Sequence, residues 1–176
     1  MFLKTENYRL RPLISTDATE RYLAWLHDPE VNRTLDVDGN SQTIASIRSY
    51  IEKHNNKDGI LFGIFTNDDL HIGTHSFRIY PKHRIASITV MIGDKLYWGK
   101  RVPLETRGKL LDWAFNDKGC NKVFAGCYSI NYPAIYNFQK QNWVVEGILK
   151  SHRIVDGKTV DFIQWAIFKD VWCKDG

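Results

Sequence analysis

Apolar and polar residues alternate along Tyr8-Arg9-Leu10-Arg11-Pro12-Leu13, the two-residue period of a strand with one buried face. The period then lengthens to that of a helix. Ala18, Tyr22, Trp25 and Leu26 fall on one side, Ser15-Thr16-Asp17 supplies a start with Glu20 as capping-box partner of Asp17, and Asp28-Pro29 ends the segment. A second helix is expected from Ser41 to His54, with Ile44, Ile47 and Ile51 as its buried stripe, closed by residues 55–59. Three strands follow as an antiparallel meander. They are Ile60–Thr66, then Leu70–Tyr80 after the Asn67-Asp68-Asp69 turn, then Ile85–Ile92 after the turn from Pro81 to Arg84.

Beyond Ile92 strands and helices alternate. A loop over 93–102 enters a helix with Pro103 in its first turn, a buried stripe of Leu104, Leu111, Ala114 and Phe115, and Gly119 at its end. Lys122–Ser129 reads as a strand and Asn131–Gln141 as a short helix with Pro133 in its first turn. Val144–Val155 and Thr159–Phe168 pair as a hairpin about Asp156-Gly157. The order β-α-α-β-β-β-α-β-α-β-β implies an α/β fold with one mixed sheet and four helices, in a single domain over residues 1–176.

Composition narrows the function classes. Apolar residues are 43% and aromatics 13% of 176, enough for a core and against disorder. No apolar run is long enough to cross a bilayer, and the first residues lack the basic and then apolar regions of a signal peptide. The net charge of +4 suits an anionic ligand, but no basic stripe interleaves with aromatics, so neither nucleic acid nor membrane is expected as a partner. Cys120, Cys127 and Cys173 form no CxxC pair and no ligand spacing, which points to reduced thiols, no metal and a cytoplasmic location.

Three stretches carry a resemblance. They are Trp25-Leu26-His27-Asp28-Pro29-Glu30-Val31-Asn32-Arg33; then His71-Ile72-Gly73 with Met91-Ile92-Gly93-Asp94-Lys95-Leu96-Tyr97-Trp98-Gly99-Lys100; then Asn131-Tyr132-Pro133-Ala134-Ile135 through Trp143 to Glu146-Gly147 and Asp156-Gly157-Lys158. In this order the chain resembles the GNAT acetyltransferase superfamily over nearly its whole length, nearest the branch of ribosomal-protein alanine and amino-sugar acetyltransferases. The resemblance implies acetyl-CoA as co-substrate, lying in a split between Ile88–Ile92 and Val123–Ser129. Met91 and Ile92 would pair with the pantetheine arm like an added strand. Asn131 and Phe138 would flank the arm. Gly99, Lys100, Arg101, Val102 and Leu104 would surround the pyrophosphate at a helix N-terminus, where free N–H groups and the dipole favour anions. Asn32 and Arg33 would line the acceptor mouth, or only fix the helix corner.

The chain departs from that pattern in three places. The family's phosphate loop reads Gln/Arg-x-x-Gly-x-Gly/Ala, whereas this chain has Trp98-Gly99-Lys100-Arg101-Val102-Pro103, with Arg101 and Pro103 in place of the glycines. Lys100 and Arg101 then offset the loss by direct charge, or binding weakens. The family's usual proton donors are absent, because Phe138 stands for the tyrosine and Ala134 for the serine. The candidates for general base are His75 and His152, and the bland readings are a sheet histidine and a hairpin surface. Proximity with water as proton carrier is the remaining route. The expected protein is an N-acetyltransferase, monomer or homodimer, acting on a primary amine of an amino sugar, nucleotide sugar or protein N-terminus. The alternative is a binding or sensor protein of the same fold.

Overall fold

The alternation and the helical periods are realised across residues 2–173, the part of the chain that the computed structural model describes. The strands are β1 (Leu3–Lys4), β2 (Tyr8–Pro12), β3 (Gly59–Thr66), β4 (His71–Tyr80), β5 (Ile85–Ile92), β6 (Lys122–Tyr128), β7 (Val144–Val155) and β8 (Lys158–Phe168). The helices are α1 (Glu20–His27), α2 (Pro29–Asn32), α3 (Ile44–His54), α4 (Val102–Asp112), α5 (Tyr132–Lys140) and α6 (Lys169–Trp172). The short elements β1, α2 and α6 add to what the sequence predicted.

One sheet holds all the strands in the order β1-β2-β3-β4-β5-β6-β8-β7. Every pairing is antiparallel except β5 with β6. β3 is apolar at nearly every position because both of its faces are covered. On one face Leu61 and Phe65 pack with Leu13, Tyr22, Trp25 and Leu26, and with Ile47 and Ile51 of α3. On the other, Phe62, Ile64, Phe77 and Ile88 pack with Val102, Leu110, Leu111 and Phe115 of the α4 segment. The fold is therefore a mixed α/β sandwich, as expected.

Several local expectations need correction. Thr19, not Asp17, caps α1, accepting from Tyr22 N. Asp17 instead accepts from Ile14 N and grips Arg11 with both carboxylate oxygens at 2.7 Å. α3 starts at Ile44 behind a Thr43/Ser46 capping box, with Gly39–Ser41 forming a separate 3-10 turn. Leu104 is only half-buried, and Val102, Thr106, Arg107, Leu110 and Leu111 form the buried side of α4. The helix widens into a π turn over Trp113–Asp117 before Gly119 ends it with φ at 65°.

A bulge in β4 matters for the histidines. Ile64 pairs with Gly73 but Phe65 pairs with His71, so Ile72 is the extra residue. His71 thereby turns to the α1 side, stacking on Phe65 at 4.8 Å, while His75 and Phe77 stay on the α4 side. The sequence period, which put His71 and His75 on one face, misses that inserted residue.

Candidate active site

The parallel pair parts early. Its partners are Ile85 with Lys122, Ala86 with Val123 and Ser87 with Phe124, and there the pairing stops. β5 stays paired to β4 as far as Ile92, and β6 stays paired to β8 as far as Tyr128. A gap therefore opens between residues 88–92 and 125–128, the place where the split was expected. Gly93 N–H bonds to Ile72 O. By the alternation of an antiparallel ladder, the peptide groups of Ile92 and Val90 face the gap, and those of Met91 face β4. Val90 is thus an edge residue that the sequence reading missed, although a two-residue step from Ile92 leads to it. Met91 borders the gap through its neighbours and not through its own peptide group.

The close approach of β4 to this strand end depends on Gly73. A Cβ there would stand 2.3 Å from Met91 O and 3.1 Å from Ile92 Cα. Both obstructing atoms are backbone, so the end of β5 must move. Gly73→Ala is expected to destabilise the protein by about 2 kcal/mol and to weaken acetyl-CoA binding in parallel. Denaturant midpoints together with calorimetry check this, and an unchanged affinity would show that the strand end is not part of the site.

Between β5 and α4 lies the loop that departs from the family pattern. Trp98 Nε1 donates to Ile92 O at 2.8 Å, tying the loop to the strand end. Gly99 has φ at 75°, and Arg101 has φ at 58° and ψ at 16°, so Arg101 holds the left-handed conformation that a glycine would adopt without strain. Arg101 is the residue preceding α4, and its carbonyl accepts from Leu104 N and Glu105 N. Leu104's amide is therefore engaged and not open to a phosphate, which corrects its expected role. Among the described residues no acceptor stands at the amides of Gly99, Arg101 and Val102. Val102's side chain is fully buried, whereas Lys100 and Arg101 are exposed. The fit to a pyrophosphate rests on those three amides, the helix N-terminus and the two cations; Pro103 removes one donor.

α4 and α5 flank the gap and are braced together. Arg107, almost wholly buried, donates to Gln141 Oε1 at 2.6 Å and Asn137 O at 2.8 Å, and Gln141 donates to Leu104 O at 2.8 Å. Burial without a carboxylate partner lowers the guanidinium pKa to about 9. Its charge lies 4.5 Å from the centroid of Phe138. Phe138 is 5% exposed and stacks on Trp165 at 5.3 Å and against Trp143 at 5.0 Å. It is a core ring, and this corrects the expectation of a cofactor contact.

The other expected residues divide. His75 has no exposed surface; Nδ1 meets Thr89 O at 3.1 Å and Nε2 meets Thr106 Oγ1 at 2.8 Å. Burial, with Arg107 adding to it, lowers its pKa to about 3. Such a ring offers no lone pair to an acceptor amine, so His75 is structural. His152 is exposed on β7, and its ring lies 6.0 Å from Phe162. Asn131 caps α5 through Ala134 N and reaches Thr34 Oγ1 at 3.0 Å. Asn32 donates to Leu26 O at 2.7 Å and so fixes the helix corner. Arg33 reaches across to Asp156 at the tip of the β7–β8 hairpin, with Nε at 3.1 Å and a terminal nitrogen at 2.9 Å. Beside it Arg153 meets Asp36 at 3.3 Å. These contacts join residues 33–36 to the hairpin over the end of β6. Tyr128 lies there, its phenol pKa raised first by burial and then by Asp36, with Arg153 opposing through its charge and a hydrogen bond.

A surface hollow of about 450 Å³ lies beside Arg21, Trp25, Asp28, Gly93 and Lys95. Its cations are already paired, Arg21 with Asp94, and Lys95 with Asp28 and Glu30. Among the described residues no group of His, Cys, Asp and Glu could hold a metal, and no helix is long and apolar enough to cross a membrane.

Comparison with known proteins agrees with this geometry. Residues 7–141 match the family model for the acetyltransferase (GNAT) domain. The chain is 28% identical to the probable N-acetyltransferase YjcK of Bacillus subtilis strain 168, covering 94% of this chain and 96% of that one. It is 25% identical to the uncharacterized N-acetyltransferase p20 of Bacillus licheniformis, covering 95% and 96%. Among solved structures, a spermidine N-acetyltransferase from Vibrio cholerae in complex with CoA and spermine superposes with a TM-score of 0.85 at 17% identity, covering 94% and 98%. RimL, a ribosomal L7/L12 alpha-N-protein acetyltransferase in complex with coenzyme A, gives 0.86 at 15%, covering 97% and 99%. The chain belongs to the GNAT acetyltransferase family and is an acetyl-CoA-dependent N-acetyltransferase.

Proposed function

We propose that the chain moves acetyl from acetyl-CoA to a primary amine by direct attack, with an amino sugar, a nucleotide-linked amino sugar or a protein N-terminus as acceptor. The observation that carries this reading is the gap between residues 88–92 and 125–128. Bound there, acetyl-CoA supplies an activated acyl carbon. The peptide groups of Val90 and Ile92 orient the pantetheine arm by strand-like pairing, which requires the Trp98 indole to leave Ile92 O. Lys100, Arg101 and the N-terminus of α4 hold the phosphates. Asn131 fixes the start of α5 on one wall.

The acceptor enters beneath the ties that Arg33 and Arg153 make to residues on the other side of the mouth. With His75 sealed, no buried imidazole serves as base. The ammonium gives its proton to water or to His152, and attack relies on proximity. Tyr128, kept protonated by burial, returns a proton to the departing thiolate. The cysteines are free thiols, and burial raises the pKa values of Cys120 and Cys127, which favours direct attack over an acyl-enzyme. The three unpaired thiols suit a cytoplasmic setting.

Calorimetry with acetyl-CoA followed by an amine-dependent thiol-release assay tests the reading. Saturable binding and release with at least one primary amine are expected. No binding at millimolar acetyl-CoA overturns it. Binding without release on any amine would instead support the sensor alternative, which has no observation of its own, since Arg101 holds the left-handed conformation that a glycine adopts without strain.

A further inference from the structure

We propose that Arg153 selects the acceptor by binding an anionic group, a carboxylate or a phosphoryl group, carried on the same molecule as the reacting amine. The inference rests on the function proposed above and names the acceptor class for that site.

Arg153 projects from β7, opposite Val160 of β8. Its guanidinium carbon lies 5.1 Å from the centroid of Phe162 and 5.9 Å from that of Tyr128. Two ring faces therefore hold the fork in place before any ligand arrives. Its polar contacts are few, and they include a side-chain hydrogen bond with Tyr128 that opposes the rise of the phenol pKa. One terminal nitrogen donates to the carbonyl of the preceding residue, His152, at 3.1 Å. The other meets Asp36 at 3.3 Å, and that carboxylate is 78% exposed, whereas the Arg153 side chain is 28% exposed. Nε is buried and has no acceptor. Nε and one terminal nitrogen form the edge of a guanidinium that grips carboxylate or phosphoryl oxygens with two parallel bonds.

The neighbouring arginine shows what a filled edge looks like. Arg33 brings both Nε and a terminal nitrogen onto a single oxygen of Asp156, Oδ2. Lys150 is likewise matched with Asp161, so among Arg33, Lys150 and Arg153 the buried donor without an acceptor is on Arg153. Its location fits an acceptor. Tyr128 ends β6, and extending the β5–β6 register past Ser87 and Phe124 brings Tyr128 level with Met91 across the gap. An anion on Arg153 thus sits at the mouth, beside the end of the strand that orients the thioester, and displaces Asp36.

Matched acceptor pairs test this on the full chain: alanine against alaninamide for a carboxylate, and a uridine-diphosphate-linked amino sugar against the free amino sugar for a phosphoryl group. At least one anionic member is expected to exceed its neutral partner in kcat/KM by roughly tenfold, chiefly through KM. The preferred pair identifies the anion. Arg153→Gln should remove that preference by raising KM for the anionic member, and because Arg153 also touches Tyr128, any change in kcat should be shared equally by the neutral member. Arg153→Lys, which keeps the charge but loses the fork, should do the same, and it serves if the glutamine variant does not fold. Asp36→Asn, which removes the competing carboxylate, should lower KM for the anionic member. Neutral members used as well as both anionic ones, or a preference that survives both Arg153 variants, overturns the proposal while leaving acetyl transfer intact. Absence of transfer to every amine overturns the proposal together with the function on which it rests.

Discussion

Lowering the pH from 7 to 4.5 is expected to reduce the protein's stability by about 5 kcal/mol, through two histidines that are neutral when folded. His75 has its pKa lowered to about 3 by burial and then by Arg107. Thr89 O can only accept, so Nδ1 carries the proton of the neutral ring, and Nε2 faces the Thr106 hydroxyl, whose one proton is shared between that nitrogen and Val102 O at 2.7 Å. His71 is lowered to about 4, mainly by burial, with Arg11 and Arg21 adding to it and Asp17 and Gly73 O opposing. It stacks on Phe65, with Tyr22 and Trp25 at its edges. In the unfolded chain both rings take up protons near pH 6.5, so the unfolded state gains protons first as the pH falls. The stabilisation is full above about 6.5 and is lost as the pH falls towards 4 for His71 and 3 for His75. Two units for each of two rings, at 1.36 kcal/mol per unit, give about 5 kcal/mol at pH 4.5. Typical domains have about 5–15 kcal/mol in total, so unfolding should set in there. Urea midpoints at pH 7 and 4.5 measure the loss. Equal midpoints would mean that the rings are not held neutral.

That result would also settle why His75 was an attractive but misleading candidate. A histidine on a central strand is visible in the sequence. The Thr106 and Thr89 groups that surround it come from α4 and β5, and the bulge at Ile72 that separates it from His71 depends on pairing with β3. Strand and helix periods were legible because each is written in consecutive residues: the apolar run of β3, the Ile44, Ile47 and Ile51 stripe, the turn at Asp156-Gly157. The gap was legible through the resemblance at Met91-Ile92-Gly93 and Asn131. The mouth was not, because Arg153 meets Asp36, and Arg33 meets Asp156, across more than a hundred residues of chain. Phe138 illustrates the same limit. Its place in α5 was clear, but its burial is set by Trp165 on β8 and Arg107 on α4. Composition carries no trace of such contacts.

Replacing both Lys100 and Arg101 by alanine is expected to weaken acetyl-CoA binding about 100-fold, because two charge-assisted contacts to phosphate, discounted for exposure, amount to about 3 kcal/mol. The geometry makes the choice of residue informative. Arg101 has φ at 58°, which for a residue with a Cβ costs about 1 kcal/mol. Alanine keeps that strain and removes only the charge. Glycine removes both, so Arg101→Gly alone should raise the melting temperature while lowering affinity about tenfold. On that outcome the family's glycines and this chain's cations would be two solutions to one problem: the glycines let the backbone approach the phosphates closely, whereas the cations would reach them from a stiffer loop in which Pro103 has deleted a donor. Calorimetry at two salt concentrations separates them, since contacts made by exposed charges weaken with ionic strength and backbone amides at the start of α4 respond less. If the double alanine variant binds acetyl-CoA as tightly as the parent at low salt, the phosphates are held by the amides of Gly99, Arg101 and Val102 alone, and the basic pair has another use.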